Sequence, residues 1–113
     1  MTLDDHLDKR IALNTKYRDN YIEEAKESPV SKELEPVEKE IGNEWIEYLK
    51  YVRASKDKKL KAYTLRLEIL EEIRGCYYEL EIAEGLVERL SLKREVSKWK
   101  QELSAVNKLL EAK

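Results

Sequence analysis

Residues 60–110 read LKAYTLRLEILEEIRGCYYELEIAEGLVERLSLKREVSKWKQELSAVNKLL, and the spacing of their apolar side chains decides the fold. Leu60, Tyr63, Leu67 and Leu70 recur at steps of three and four, followed by Ile73, Cys76, Leu80, Ala83, Val87 and Leu90. A second series runs Leu92, Val96, Trp99, Leu103, Val106 and Leu110. Such steps line one face of a helix with side chains that a second helix must cover. Leu70 to Ile73 is a step of three where a heptad would use four, so the seam is expected to shift beside Gly75. Leu90 and Leu92 cannot share one seam, which places a turn between Arg89 and Lys93.

Working towards the N-terminus, the apolar pattern lapses between Val52 and Leu60. A turn is expected near residues 54–58, with Ser55 as the N-cap and Asp57 in the first turn of the next helix. A continuous helix is the alternative, because no Gly or Pro interrupts this stretch. Pro29 and Pro36 bracket a linker over residues 28–36, since each disfavours helical geometry in the residue before it. Pro36 would then open a helix that carries Val37, Ile41, Trp45, Tyr48, Leu49 and Val52 on one face, with Gly42 admitting a close neighbour. The first helix carries Leu3, Leu7, Ile11, Asn14, Tyr17, Tyr21 and Ala25, and Thr2 with Asp5 resembles a capping pair. Asn14 is read as the polar edge of a wider stripe.

These patterns predict an all-α chain. The expected architecture is a single domain over residues 1–113, an antiparallel three- or four-helix bundle with one long coiled-coil-like hairpin. The helices fall at about 3–27, 36–54, 56–90 and 92–112. The composition agrees: 41% of the 113 residues are charged, with only three Gly and two Pro. Phe is absent, and the aromatic surface comes from seven Tyr and two Trp, whose polar tips suit core edges and interfaces. The single cysteine cannot form an intramolecular disulfide, and the start Met-Thr-Leu-Asp-Asp has charge where a secretion signal needs apolar residues. No stretch approaches the roughly 18 apolar residues of a membrane span. A cytoplasmic protein without membrane association is expected.

The residues that could carry chemistry are few. Structural zinc draws on clustered Cys and His, and this chain has only Cys76 and His6, so no metal or other cofactor is expected. His6, among Asp4, Asp5 and Asp8, is read as part of a solvated first turn. Glu68, Glu71 and Glu72, or Glu81, Glu84 and Glu88, lie one helical turn apart and could present carboxylates to Mg²⁺. Their spacing is similar to the Glu-x-x-Glu of the all-α nucleotide pyrophosphohydrolases, but the Glu-x-x-Asp that completes that pattern is missing. Cys76 falls on the apolar seam, where a thiol behaves as a small hydrophobe rather than a nucleophile. Isolated glycines at 42, 75 and 85 cannot build a phosphate loop. No catalytic residue is assigned.

Charge, by contrast, is organised. Residues 1–18 carry a net +1, 19–48 carry −7, 49–66 carry +6, 67–90 carry −5 and 91–113 carry +3. Segregation of this kind marks surfaces that guide assembly or binding. Lys50, Arg53, Lys56, Lys58, Lys59, Lys61 and Arg66, interleaved with Tyr51 and Tyr63, could meet phosphates or an acidic partner at a hairpin tip. The chain as a whole is net acidic, with pI near 5.6, which weighs against dedicated nucleic-acid binding. Trp45, Tyr48, Tyr77, Trp99, Leu103, Val106 and Leu110 are the candidate interface residues, with packing in the core as their simpler role. The expected function is a non-enzymatic interaction module: an adaptor, assembly subunit or small inhibitor of the kind found among phage, virus and plasmid products. Its partner would be another protein or a second copy. A nucleic-acid-binding module is the alternative, and a Mg²⁺-dependent nucleotide hydrolase comes third.

Overall fold

The computed structural model describes residues 1–111. Among them the chain is all-α, with helices α1 (Leu3–Lys26), α2 (Ser31–Ala54), α3 (Lys58–Ile82) and α4 (Leu86–Glu111). The packed pairs are α1 with α2 and α3 with α4. Each pair forms a compact unit, the first comprising Met1–Lys56 and the second beginning at Asp57. The expected end of the last helix at residue 112 lies outside the described residues.

In the first unit α1 opens with the capping box that Thr2 and Asp5 suggested. The Thr2 N–H donates to Asp5 Oδ2 at 2.9 Å, and the Asp5 N–H donates to Thr2 Oγ1 at 3.1 Å. Two otherwise orphaned donors are thereby satisfied. The Thr2 backbone N–H, and then its side chain, hold the Asp5 carboxyl below the usual carboxylate range. His6 is buried at 4% exposure rather than solvated, because it precedes Leu7 on the covered side of the helix. Asn14 is half-buried, and its Nδ2 donates to the Arg10 carbonyl at 2.9 Å, one turn back along α1.

The linker proves shorter than the two prolines implied. Residues 27–30 make the turn, and α2 starts at Ser31 with Pro36 inside it. Val30 closes the first turn early, its carbonyl accepting from Glu33 and Leu34 N–H at 3.0 and 2.9 Å. Pro36 therefore costs the backbone ladder one hydrogen bond near the helix start, not the helix itself. Where α1 crosses α2, Gly42 does admit a close neighbour. A Cβ built there would lie 2.7 Å from Arg18 Cβ, and Arg18 Nη1 reaches past it to Asn43 Oδ1 at 2.9 Å. At the other end Arg53 binds Asp8 Oδ1 through Nε at 2.9 Å and Asp4 Oδ2 through Nη1 at 3.2 Å, fastening the end of α2 to the start of α1.

The second unit departs further from the sequence reading. The helix does begin after a turn, but Asp57 is the N-cap in place of Ser55, its Oδ1 accepting from Leu60 N–H at 3.1 Å. α3 then ends at Ile82, so its 25 residues span about 37 Å rather than the ~50 Å expected of a helix reaching Leu90. The break falls at residues 83–85, not between Arg89 and Lys93. Gly85 is a poor helix interior but an adequate N-cap, and its carbonyl accepts the first bond of α4 from Arg89 N–H at 3.0 Å. The Arg89 guanidinium folds back, donating to the Leu80 and Ala83 carbonyls at 2.9 and 3.2 Å. Those are the unsatisfied acceptors at the end of α3, where a cation is also favoured by the helix dipole. The conflict between Leu90 and Leu92 is resolved by burying Leu92 and leaving Leu90 exposed.

Candidate interaction surface

α3 has two apolar stripes. Ala62, Leu65, Ile69, Ile73 and Cys76 are buried, with α4 as their packed neighbour contributing Leu92, Val96, Trp99 and Val106. Tyr63, Leu67, Leu70 and Tyr77 form the second stripe, keeping heptad steps within roughly 80° of arc and centred roughly 120° from the first. Leu65 and Ile69 are 0% exposed, whereas Leu67 is 65% and Leu70 47% exposed. The series Leu60, Tyr63, Leu67, Leu70, Ile73, Cys76 is therefore not one seam that shifts near Gly75. It starts on the outer stripe and crosses to the inner one at the short step from Leu70 to Ile73.

By helical position Lys59 and Arg66 lie along one edge of the outer stripe and Glu71 beside the other, with Arg74 and Glu81 on its line. The Arg66 guanidinium is 5.1 Å from the centre of the Tyr63 ring. Lys100 of α4 stands 5.7 Å from the Tyr77 ring centre. α2 also carries an exposed apolar stripe. Val37, Ile41, Trp45 and Tyr48 are exposed, with the Trp45 and Tyr48 rings 6.1 Å apart and tilted by 42°. Of the α2 face expected to be covered, only Leu49 and Val52 are buried, beside Ile46 on the side towards α1.

The expected interface residues divide accordingly. Trp45, Tyr48 and Tyr77 are exposed, Leu103 and Leu110 are half-buried, and Trp99 and Val106 lie in the interior of the second unit. Trp99 and Val106 are thus packing residues, since a single stripe on α4 faces α3. Sequence reasoning placed Tyr63 at a contact surface but put Leu67 and Leu70 on the packed seam, and both are exposed. The signal was present in the duplicate series 62, 65, 69, 73, 76 and 63, 67, 70, 77.

The basic candidates do not form one cluster within a unit. Lys50 pairs with Glu47 at 3.6 Å and Arg53 with Asp4 and Asp8, all in the first unit. Lys56 is in the connection, and Lys58, Lys59, Lys61 and Arg66 belong to α3. The acidic triplets do not assemble either: Glu68 is buried while Glu71 is exposed, and no group of three His, Cys, Asp or Glu residues among the described ones could hold a metal ion. Burial, and then the carboxylates of Glu95, Glu79 and Glu72, push the Cys76 thiol up to about 11, so it is protonated and inert at neutral pH. No helix among the described residues is long and apolar enough to cross a membrane. No protein-family model, curated protein or solved structure matches the chain.

Proposed function

We propose that the chain is a non-enzymatic protein–protein interaction module, acting as an adaptor, assembly subunit or small inhibitor. Its contact surface is the outer stripe of α3. One observation carries this reading: Leu67 and Leu70 stand exposed at the centre of an apolar stripe that continues through Tyr63 and Tyr77. A folded chain pays a solubility penalty for contiguous exposed apolar surface, and such surface marks binding sites. Tyrosines at both ends add the large, partly polar contact area favoured in interface hot spots. The test is cross-linking capture in the native host with the wild-type chain and with Leu67→Lys/Leu70→Lys. Specific adducts that disappear in the variant, with helicity by circular dichroism unchanged, support the reading. Adducts indifferent to the substitutions reject it.

A second reading has one observation in its favour. Lys58, Lys59 and Lys61 crowd the start of α3, where the helix dipole disfavours cations, beside Tyr63. Charge held against the dipole suits phosphate contact with a nucleic acid. That reading requires binding to single- or double-stranded oligonucleotides with a log-log salt slope near the number of phosphates engaged. It also requires that binding vanish when Lys58, Lys59 and Lys61 become Glu.

A further inference from the structure

We propose that the exposed stripe of α2 is a docking site for a basic amphipathic helix of another protein. The site is separate from the α3 stripe and does not rest on the reading given for it.

The arrangement of charge around α2 selects this occupant. Gly42, Ile46 and Leu49 mark the side packed on α1. Val37, Ile41, Trp45 and Tyr48 are all exposed and share an arc of about 80°, centred roughly 100° from that side. Along the stripe's outer edge, turned away from α1, stand Glu33, Glu40, Glu44 and Glu47, all exposed, with Tyr51 among them. Lys32, Lys39 and Lys50 lie roughly opposite the stripe, and only Lys50 reaches round, to Glu47 at 3.6 Å in an exposed pair. A face built only for solvation gains from mixed signs, since opposite charges at i, i+4 support a helix and like charges weaken it. α2 instead sets Glu40 one turn from Glu44 and Glu44 one turn from Glu47, a row that a cationic neighbour stabilises.

The rings of the stripe share that preference. Trp45 and Tyr48, 6.1 Å apart, offer aromatic faces to a Lys or Arg side chain beside the carboxylates. The same row repels polyanions, because a nucleic acid or an anionic lipid surface would bring phosphates against four glutamates. The fitting partner has apolar side chains at steps of three and four to cover Val37, Ile41 and Tyr48. On the adjoining edge it carries Lys or Arg to meet Glu40 and Glu44. From Val37 to Tyr48 the stripe is about 16 Å long, a length that roughly three turns of helix cover. A second copy is the poorer match. An antiparallel pair of α2 stripes sets the acid row against its own copy, and the α3 stripe has Glu71 at one edge and Glu81 on its line.

Isothermal titration calorimetry of the full chain with three synthetic peptides tests the proposal. The peptides share one leucine face at steps of three and four over about four turns, and carry Lys, Gln or Glu at the other positions. The Lys peptide should bind about tenfold more tightly than the Gln peptide, by a margin that shrinks as salt rises, and the Glu peptide should bind most weakly. Ile41→Ser/Tyr48→Ser should weaken binding of the Lys peptide about tenfold with helicity unchanged. Glu40→Lys/Glu44→Lys should reverse the preference in favour of the Glu peptide, and Leu67→Lys/Leu70→Lys should alter neither result. Binding indifferent to Ile41 and Tyr48, or equal affinity for the Lys and Glu peptides, would overturn the proposal. Self-association of the peptide-free chain through Ile41 and Tyr48, seen by sedimentation, would overturn it in favour of a second copy. Binding lost in Leu67→Lys/Leu70→Lys but kept in Ile41→Ser/Tyr48→Ser would overturn the α2 site and leave the α3 reading standing.

Discussion

α3 and α4 are nearly equal in length and both pack in the same unit, yet they distribute apolar residues differently. α4 gathers Leu92, Val96, Trp99 and Val106 on one line and buries all four. α3 spreads its apolar residues over two lines and buries one, leaving Leu67 and Leu70 to solvent. α4 is what a helix needs for one neighbour. α3 has apolar surface for two. The difference teaches that an apolar stripe identifies a surface to be covered without saying by what.

Substitutions can break that comparison most sharply in the interior. Leu65→Ala and Trp99→Ala remove side chains buried between α3 and α4 and should cost about 3–5 kcal/mol each in urea unfolding. Leu67→Ala, two residues along α3, should change the stability of the dilute chain by less than about 0.5 kcal/mol. Equal losses at residues 65 and 67 would erase the distinction between the stripes. The glycines sharpen it next. Gly42→Ala should destabilise by about 1–3 kcal/mol, since the new methyl overlaps Arg18. Gly75→Ala should stabilise by about 1 kcal/mol, because apart from the helix's own adjoining backbone and the two chain neighbours nothing stands within 4 Å of the new methyl.

Smaller again is the turn that separates the two helices. Arg89→Met should cost about 1–2 kcal/mol by releasing the Leu80 and Ala83 carbonyls, and amide exchange should quicken over the last turn of α3. A further effect is alkaline. The Cys76 thiol has an ordinary value of 9.0 and is raised to about 11 in the folded chain. The folded state therefore holds the proton more tightly than the unfolded one, so stability is complete below pH 9.0 and declines as pH rises towards about 11. Urea midpoints should fall across that window in the wild type and not in Cys76→Ala. Asp5 works in the opposite sense. Its lowered carboxyl stabilises above the ordinary value of 3.8, and that contribution is lost as pH falls through the lower folded value.

Helix content, the capping box, the close approach at Gly42 and the packing line of α4 were all legible in the sequence, because each rests on local chemistry or on one unambiguous period. The start of α2 was misplaced because Pro36 marks the first turn or two of a helix and does not say which residue. The end of α3 was misplaced because the decisive partner, Arg89, lies across the turn from the carbonyls it satisfies. The candidate surface was obscured for a different reason. Tyr63, Leu67 and Leu70 obey helical spacing as well as Ala62, Leu65 and Ile69 do, and size favoured the larger residues as core. Only packing reveals that the smaller Ala62 faces α4 and the larger Leu67 does not.

Alkylation rates of single cysteines along α3 test most directly whether the two stripes have these different fates. In a Cys76→Ala background, cysteines placed one at a time at residues 65, 69 and 73 and at residues 63, 67 and 70 would be exposed to iodoacetamide at low protein concentration. The first set should react at least tenfold more slowly than the second, with the gap closing in denaturant. Comparable rates in the folded chain, or faster reaction at 65 and 69 than at 67 and 70, would contradict the exposure of the outer stripe on which the proposed contact surface rests.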